Sequence, residues 1–402
     1  MNNAVLCVDI GTSSLKAAYI SLKGDVLAFA RIKLEKANES NRWLFALKDA
    51  ISVLNQKVKK SLTGQEEFFV IKAISISGNG PSLANSTGSF LWNESLQNIN
   101  LEKLPKEAKT SIFAPRLYFI KENLSNLLNQ DECLFSVPEY LVYQLTDKAY
   151  TLLPNQRFEK AYWNDDLLKA MNIPNVLPPF IQLGKAFGSL TEKARYFLGM
   201  SENQDLPPVF CGGPDFSIAL IGTNTLSEGK ICDRAGTSEG INLCTNTPLI
   251  STEVRTLPSP INPLWNASVI ISDTGSRFSE WKESSKYKDL SYDECVETLI
   301  QDKKSEGYKL MLEIALKVKN AYDTIKKIAT ENDIKLENRI CCTGGQAKNQ
   351  SWLKLKSEIV GVPFFVGKCA DAELMGNAAV AFYGLGLYPS IKEAAEDLNK
   401  NL

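Results

Sequence analysis

Apolar and β-branched residues dominate three short runs at the start of the chain, residues 4–8, 15–22 and 26–34, and each predicts a strand. Lys23-Gly24-Asp25 supplies the turn between the second and third. Residues 43–62 change period: Leu44, Leu47, Ile51, Leu54 and Val58 fall at helical spacing and predict a helix that covers the sheet. Residues 69–77 are apolar apart from Lys72 and a few small hydroxyl side chains, which suits a central parallel strand. That strand runs into Ser77-Gly78-Asn79-Gly80-Pro81, at the kind of strand end where α/β proteins place ligands.

Residues 101–153 read as helices and short connections, including an amphipathic helix over 117–128. Residues 174–179 are a proline-rich connection, and residues 207–213 are a strand delivering Gly212-Gly213-Pro214-Asp215 to a helix over 216–222. The second half repeats the opening: a strand over 229–233, the stretch DRAGTSEG over 233–240, and a strand again. Helices are expected over 278–288, 292–303 and 307–328, the last with Leu312, Ala315, Leu316, Val318 and Ile325 for packing. A strand over 339–343 leads into Gly344-Gly345-Gln346-Ala347-Lys348-Asn349, followed by a helix over 351–360, a strand over 364–366 and a helix over 372–384. Alternating strands and helices make the class α/β. The order echoes itself from one half to the other, so two related lobes are expected, residues 1–226 and 227–402, meeting across a cleft because no long linker separates them.

Composition narrows the function. A chain of 402 residues exceeds one ordinary core. Forty-five basic against 46 acidic residues give no electrostatic case for nucleic acid or an anionic membrane. No apolar run approaches the ~18 residues of a membrane helix, and residues after Met1 lack the pattern of a leader. Nine scattered cysteines with no C-x-x-C pair fit a reduced, cytoplasmic setting. The absence of histidine excludes every mechanism that needs an imidazole, so a general base must be a carboxylate, lysine, tyrosine or thiol.

The repeated Gly-Thr-Ser is the first candidate site. Thr12 and Ser13, after Asp9 in VDIGTSSLK, and Gly236, Thr237 and Ser238 in DRAGTSEG have the residue types that bring backbone N–H groups and hydroxyls to phosphate; two unrelated turns would use the same residues. Asp9 suits a magnesium ion. Lys16 either neutralises phosphate charge or lies on a solvated face. Asp215, between an apolar strand and a helix, is either a base for a substrate hydroxyl or an ordinary helix cap. Gly344, Gly345 and Asn349 form a turn open to a purine or ribose, or one that merely needs glycine. Trp92 and Asn93 line a polyol site or belong to the core.

Together these stretches resemble the FGGY carbohydrate kinases. The resemblance rests on VDIGTSSLKAAYI, on GGPDFSIALIGTNTLSEGKICDRAGTSEG and on CTGGQAKNQSWLKL with VGVPFF and ADAELMGNAAVAFYGLGLY, in order over nearly the whole chain. It implies two ribonuclease-H-like lobes of the actin and sugar-kinase superfold closing on ATP, magnesium and a small sugar or polyol, in a shortened member of the xylulokinase and glycerol kinase kind. By residue it implies Asp9 at magnesium, Thr12 and Ser13 with Gly236, Thr237 and Ser238 at the phosphates, and Gly345 with Asn349 at adenosine, with Lys16 and Gly344 as further candidates beside them. It implies Asp215 as the base that also holds the acceptor hydroxyl, and Gly78, Asn79, Trp92 and Phe216 are the further candidates for the acceptor site. A homodimer is compatible with the resemblance.

Three departures stand out. Pentulose kinases commonly carry Ser-Gly-Gln-Met-His-Gly where this chain has Ser77-Gly78-Asn79-Gly80-Pro81-Ser82. Leu91-Trp92-Asn93 lacks the family's following arginine, and a helical stretch replaces a long insertion after Trp281. An active kinase with an altered acceptor pocket is expected, the alternative being an inactive ATP-binding sensor or interaction protein of the same fold.

Overall fold

The computed structural model describes residues 2–34, 40–61, 69–97, 99–202 and 205–400; Leu62, the expected end of the first helix, lies outside them. The chain opens with β1 (Asn2–Ile10), β2 (Ser14–Ser21) and β3 (Val26–Lys33), then α1 (Arg42–Ser61) and β4 (Phe69–Gly78). Val5, Leu6, Val8, Ile74 and Ile76 are buried whichever face they point to, as in strands covered on both sides.

Residues 83–153 hold more strand than expected: β5 (Leu83–Asn85), β6 (Gly88–Phe90), α2 (Lys106–Thr110), α3 (Ala114–Asn123), β7 (Phe135–Ser136), α4 (Val137–Thr146) and β8 (Thr151–Leu153). The single helix expected over 117–128 is broken. Leu124, at φ −136° and ψ 46°, ends α3, and a 3-10 turn continues over Ser125–Leu128. Leu117, Ile120, Leu127 and Leu128 are all buried, so the apolar period crosses a break in the helical ladder and cannot reveal it.

Next come α5 (Asp165–Ala170), β9 (Phe180–Gln182), β10 (Gly188–Ser189), α6 (Glu192–Leu198), β11 (Pro208–Pro214) and α7 (Asp215–Gly222). The second half holds β12 (Ile231–Ala235), β13 (Glu239–Thr245), β14 (Arg255–Pro258), β15 (Trp265–Ile271), α8 (Gly275–Ser284), α9 (Tyr292–Gln301) and α10 (Glu306–Glu331). It closes with β16 (Ile340–Thr343), α11 (Gln350–Val360), β17 (Phe364–Val366), α12 (Ala372–Gly384) and α13 (Ile391–Leu398). β15 escapes the hydrophobic pattern because Asn266 and Ser268 are buried on it, Asn266 donating to Asn242 Oδ1 at 3.2 Å.

The elements form two compact units, Met1–Ile218 with Glu373–Leu398, and Ala219–Ala372 with Asn399–Leu402. The first therefore recovers the last two helices, which the division at residue 226 gave to the second lobe. Its sheet has the order β10-β11-β4-β1-β2-β3, with β1, β2 and β3 antiparallel in turn and β4 parallel to both β1 and β11. The second unit has β14-β15-β13-β12-β16-β17, with β12, β13 and β15 antiparallel in turn and β16 parallel to β12 and β17. Without the edge strands β10 and β14 the two orders coincide, a ribonuclease-H-like sheet built twice. In the second, α10 lays Val318, Tyr322, Ile325 and Ile328 on Ile231, Ile241, Leu243 and Ile340.

Candidate active site

In the first unit the register of three parallel strands sets the site. Asp9 pairs with Ser77 and Ser77 with Gly213; Ile10 pairs with Gly78 and Gly78 with Pro214. Two strand spacings set the backbones of Asp9 and Gly213 about 10 Å apart. Asp215 follows Pro214 at the same end of the sheet, where α/β folds hold ligands. Asp9 is buried between its neighbours: Ser77 Oγ donates to Oδ1 at 2.9 Å, and Lys16 Nζ, its cross-strand partner on β2, lies 3.5 Å from Oδ2.

The first Gly-Thr-Ser loop and the residues expected at the acceptor form one hydrogen-bonded cluster. Gly11 N–H closes the loop on Ser14 O at 2.9 Å, with Ser13 exposed. Thr12 Oγ1 accepts from Trp92 Nε1 at 2.8 Å and from Asn79 Nδ2 at 3.5 Å. Ser82 Oγ donates to Asn79 Oδ1 at 3.2 Å and accepts the Trp92 N–H at 2.9 Å. A Cβ on Gly80 would lie 3.1 Å from Pro214 Cβ, so this loop also rests against the residue before Asp215. Asp215 and Phe216 are half-buried at the start of α7.

Two residues outside the expected set hold this cluster. Arg116, buried on α3, donates through Nη1 to Leu91 O at 2.8 Å and through Nη2 to Trp92 O, its guanidinium 5.1 Å from the Phe90 ring centre. Asn377, fully buried on α12, donates to Val8 O at 2.9 Å and Ser77 Oγ at 2.8 Å and accepts from Ser75 Oγ at 3.0 Å. A Cβ at Gly212 would sit 2.4 Å from Asn377 Oδ1, so glycine there makes room for the amide.

The second unit repeats the loop. Gly236 N–H bonds Ser238 O at 3.0 Å, and Gly236 and Thr237 are exposed. Ser276 N–H, in the first turn of α8, bonds Thr237 O at 3.0 Å. Gly344, at φ +100°, abuts the loop so closely that a Cβ would lie 2.5 Å from Ala235 O. Only glycine fits that turn. A Cβ on exposed Gly345 would meet nothing within 4 Å. Asn349 is buried and its side chain is engaged: Oδ1 accepts from Trp352 N–H at 2.9 Å, capping α11, and Nδ2 donates to Asp293 and Glu297 on α9 at 3.1 and 3.3 Å. Lys348 Nζ pairs with Asp371 at 2.7 Å.

Behind this loop lies a buried ionic cluster. Lys356 Nζ is 2.9 Å from Asp233 Oδ2 and also donates to Glu239 Oε1. Burial, then the Asp233 charge, push the Glu239 carboxyl well above the carboxylate range, with Lys356 pulling the other way. Burial opposes the Lys356 ammonium, yet Asp233 and Glu239 outweigh it and hold it charged. The sequence signal for the cluster was slight: a lysine at a position where the apolar stripe of α11 predicts a hydrocarbon.

Among the described residues no group of three or more His, Cys, Asp and Glu gathers as a metal cage, and no helix is long and apolar enough to cross a membrane. Asp9 offers hard carboxylate oxygens at a strand end, which fits magnesium held through one carboxylate with phosphate and water oxygens completing its shell. Cys133, Cys211, Cys232, Cys295, Cys341 and Cys342 are free thiols.

Residues 304–385 match the FGGY family of carbohydrate kinases, C-terminal domain. Over 465 aligned positions the chain is 22% identical to a xylulose kinase of Staphylococcus epidermidis, covering 98% of this chain and 91% of that one. Residues 304–385 are thereby similar to the FGGY C-terminal domain, and over nearly its whole length the chain is similar to sugar kinases. Its fold is that of a ligand-bound xylulose kinase from Lactobacillus acidophilus, with a TM-score of 0.74 at 17% identity over 98% of this chain and 92% of that one. It is equally that of Plasmodium falciparum glycerol kinase with ADP, with a TM-score of 0.73 at 16% identity over 99% and 92%. The chain has an α/β fold of ribonuclease-H-like type, seen directly in its two sheets.

Proposed function

We propose that this protein is an FGGY kinase that transfers the terminal phosphoryl group of ATP to a hydroxyl of a small sugar or polyol. The observation that carries the reading is the register of β1, β4 and β11, which brings Asp9, the Asn79–Trp92 cluster and Asp215 to one end of one sheet. Asp215 accepts the proton of the acceptor hydroxyl, a role that a carboxylate fills in a chain without histidine. Gly78, Asn79, Trp92 and Phe216 line the acceptor beside it. Thr12, Ser13 and Lys16 in the first unit, and Gly236, Thr237 and Ser238 in the second, hold phosphate oxygens through hydroxyls, backbone N–H groups and one ammonium. Asp9 holds magnesium, which when bound neutralises phosphate charge. Gly344 and Gly345 form the turn against which adenosine lies, and Asn349 keeps that turn seated on α11.

Xylulose and glycerol, named in the relatives, share only vicinal hydroxyls on a short carbon chain, and the acceptor here is of that class. A steady-state panel of ketoses, aldoses and polyols tests the proposal. One or more acceptors raise ATP turnover above background, and Asp215→Ala removes that increment. Turnover unmoved by every acceptor, with ATP still bound, would leave an ATP-binding protein without transfer and overturn it.

A further inference from the structure

Trp352, Lys356 and Val360 recur every four residues on α11 and all are buried, so a lysine occupies the centre of an apolar stripe. Its ammonium reaches both roots of the second Gly-Thr-Ser loop. Asp233 lies three residues before Gly236, Glu239 directly follows Ser238, and β12 and β13 pair Ala235 with Glu239. Gln346, just past the Gly344-Gly345 turn, donates to Glu239 Oε2 at 3.2 Å. The loop and the glycine turn are thereby fastened to one buried pair. Hydrocarbon side chains at 233, 239 and 356 would fill this space without desolvating charges. Stability alone therefore gives no reason for the cluster.

We propose that Lys356 and Glu239 are positioning residues of the second phosphate loop, and that the proton on Glu239 sets the net charge behind the phosphate it holds. The inference rests on reading Gly236-Thr237-Ser238 as a phosphate loop. The groups facing Glu239 are Asp233 on β12, the Cys342 thiol on β16, Gln346, Tyr292 on α9 and Lys356 on α11, with the Phe364 ring of β17 5.9 Å from Lys356 Nζ. Burial pushes the Cys342 and Tyr292 groups up, so neither adds charge in the working range. With Glu239 protonated, Lys356 and Asp233 cancel. Once Glu239 ionises, one uncompensated negative charge stands behind the loop and opposes phosphate.

The test is calorimetric binding of a non-hydrolysable ATP analogue to the full chain between about pH 6 and about pH 9.5, in wild type, Glu239→Gln and Lys356→Met. Relative to Glu239→Gln, a ratio that removes the analogue's own titration, wild-type affinity falls on the order of tenfold across this range. Lys356→Met weakens analogue binding by a similar factor at the acid end, while acceptor binding is unchanged. Parallel pH profiles for wild type and Glu239→Gln overturn the proposal, as does a lowered Tm with unchanged analogue affinity in both variants. Should Lys356→Met not fold, the Glu239→Gln profile decides alone. No analogue binding by wild type, or full binding by Thr237→Ala/Ser238→Ala, sinks the reading of the loop itself, a different failure from parallel profiles with binding intact.

Discussion

Arg116 and Trp92 show how much of the proposed acceptor site depends on one guanidinium. Arg116 holds the carbonyls of Leu91 and Trp92, and Trp92 in turn places its indole N–H on Thr12. Arg116→Met keeps the stem against Phe90 and removes both charged hydrogen bonds, each worth about 1.5–3 kcal/mol. The expected outcome is a rise in acceptor KM of at least about tenfold with little change in KM for ATP. An equal rise in both would show that the arginine serves the unit's stability and not the acceptor. Asp215→Asn preserves shape and removes the carboxylate proposed as the base. Acceptor-dependent kcat should fall by about 10²–10⁴ while calorimetry finds analogue affinity within about twofold of wild type. The candidate residues were legible because their types are rare in that order: an aspartate after Gly-Gly-Pro, and Gly-Thr-Ser twice. Arg116, Ser77 and Asn377 were not, since each acts on backbone or side-chain atoms far away in sequence, and local pattern carries no trace of a partner 24 to 369 residues away.

At the scale of elements, strands and long helices followed from period alone, and the misses have physical causes. The α3 break lies under an unbroken apolar stripe, and β15 buries amides paired across the sheet. α4 illustrates a further hidden device. Glu139 accepts from Ser136 N–H at its own start at 3.0 Å and from Leu152 N–H on β8 at 2.7 Å. Burial pushes its carboxyl up to about 7 against those hydrogen bonds, and burial with Asp233 pushes Glu239 up likewise. An unfolded glutamate ionises near about 4.3. Above that pH the folded state holds a proton that the unfolded state has released, so stability is greatest at the acid end and falls as pH rises toward about 7 for Glu139. The loss from Glu139 amounts to about 4 kcal/mol. Glu139→Gln should flatten the decline in Tm between about pH 5 and about pH 7.5. An unchanged slope would show that Glu139 is ionised in the folded protein throughout.

On the scale of the molecule, the first unit is not a continuous stretch of chain: it runs to Ile218 and is completed by Glu373–Leu398. α12 is not a lid on a finished core, because Asn377 bonds β1 and β4 from inside it and Phe382 is fully buried. At Gly376 a Cβ would lie 2.2 Å from Ile218 O, and at Gly384 2.2 Å from the Phe210 ring, so helix and strands approach as closely as backbone permits. A chain ending at Ala372 keeps every residue assigned to phosphate, acceptor and proton, yet leaves Val8 O, Ser75 and Ser77 without their amide partner and the faces of β4 and β11 uncovered. Each orphaned polar group costs about 1–3 kcal/mol, and the lost apolar burial adds to this, against a total stability of about 5–15 kcal/mol. The truncated chain should therefore lose its near-UV circular dichroism and its cooperative melting, whereas Asn377→Ala in the full chain folds with a Tm lowered by several degrees, about 2–4 °C per kcal/mol in a unit of this size. Cooperative melting of the truncated chain at the wild-type Tm would place α12 outside the folding unit, and the residues after Ala372 would then be dispensable to the site of the first unit.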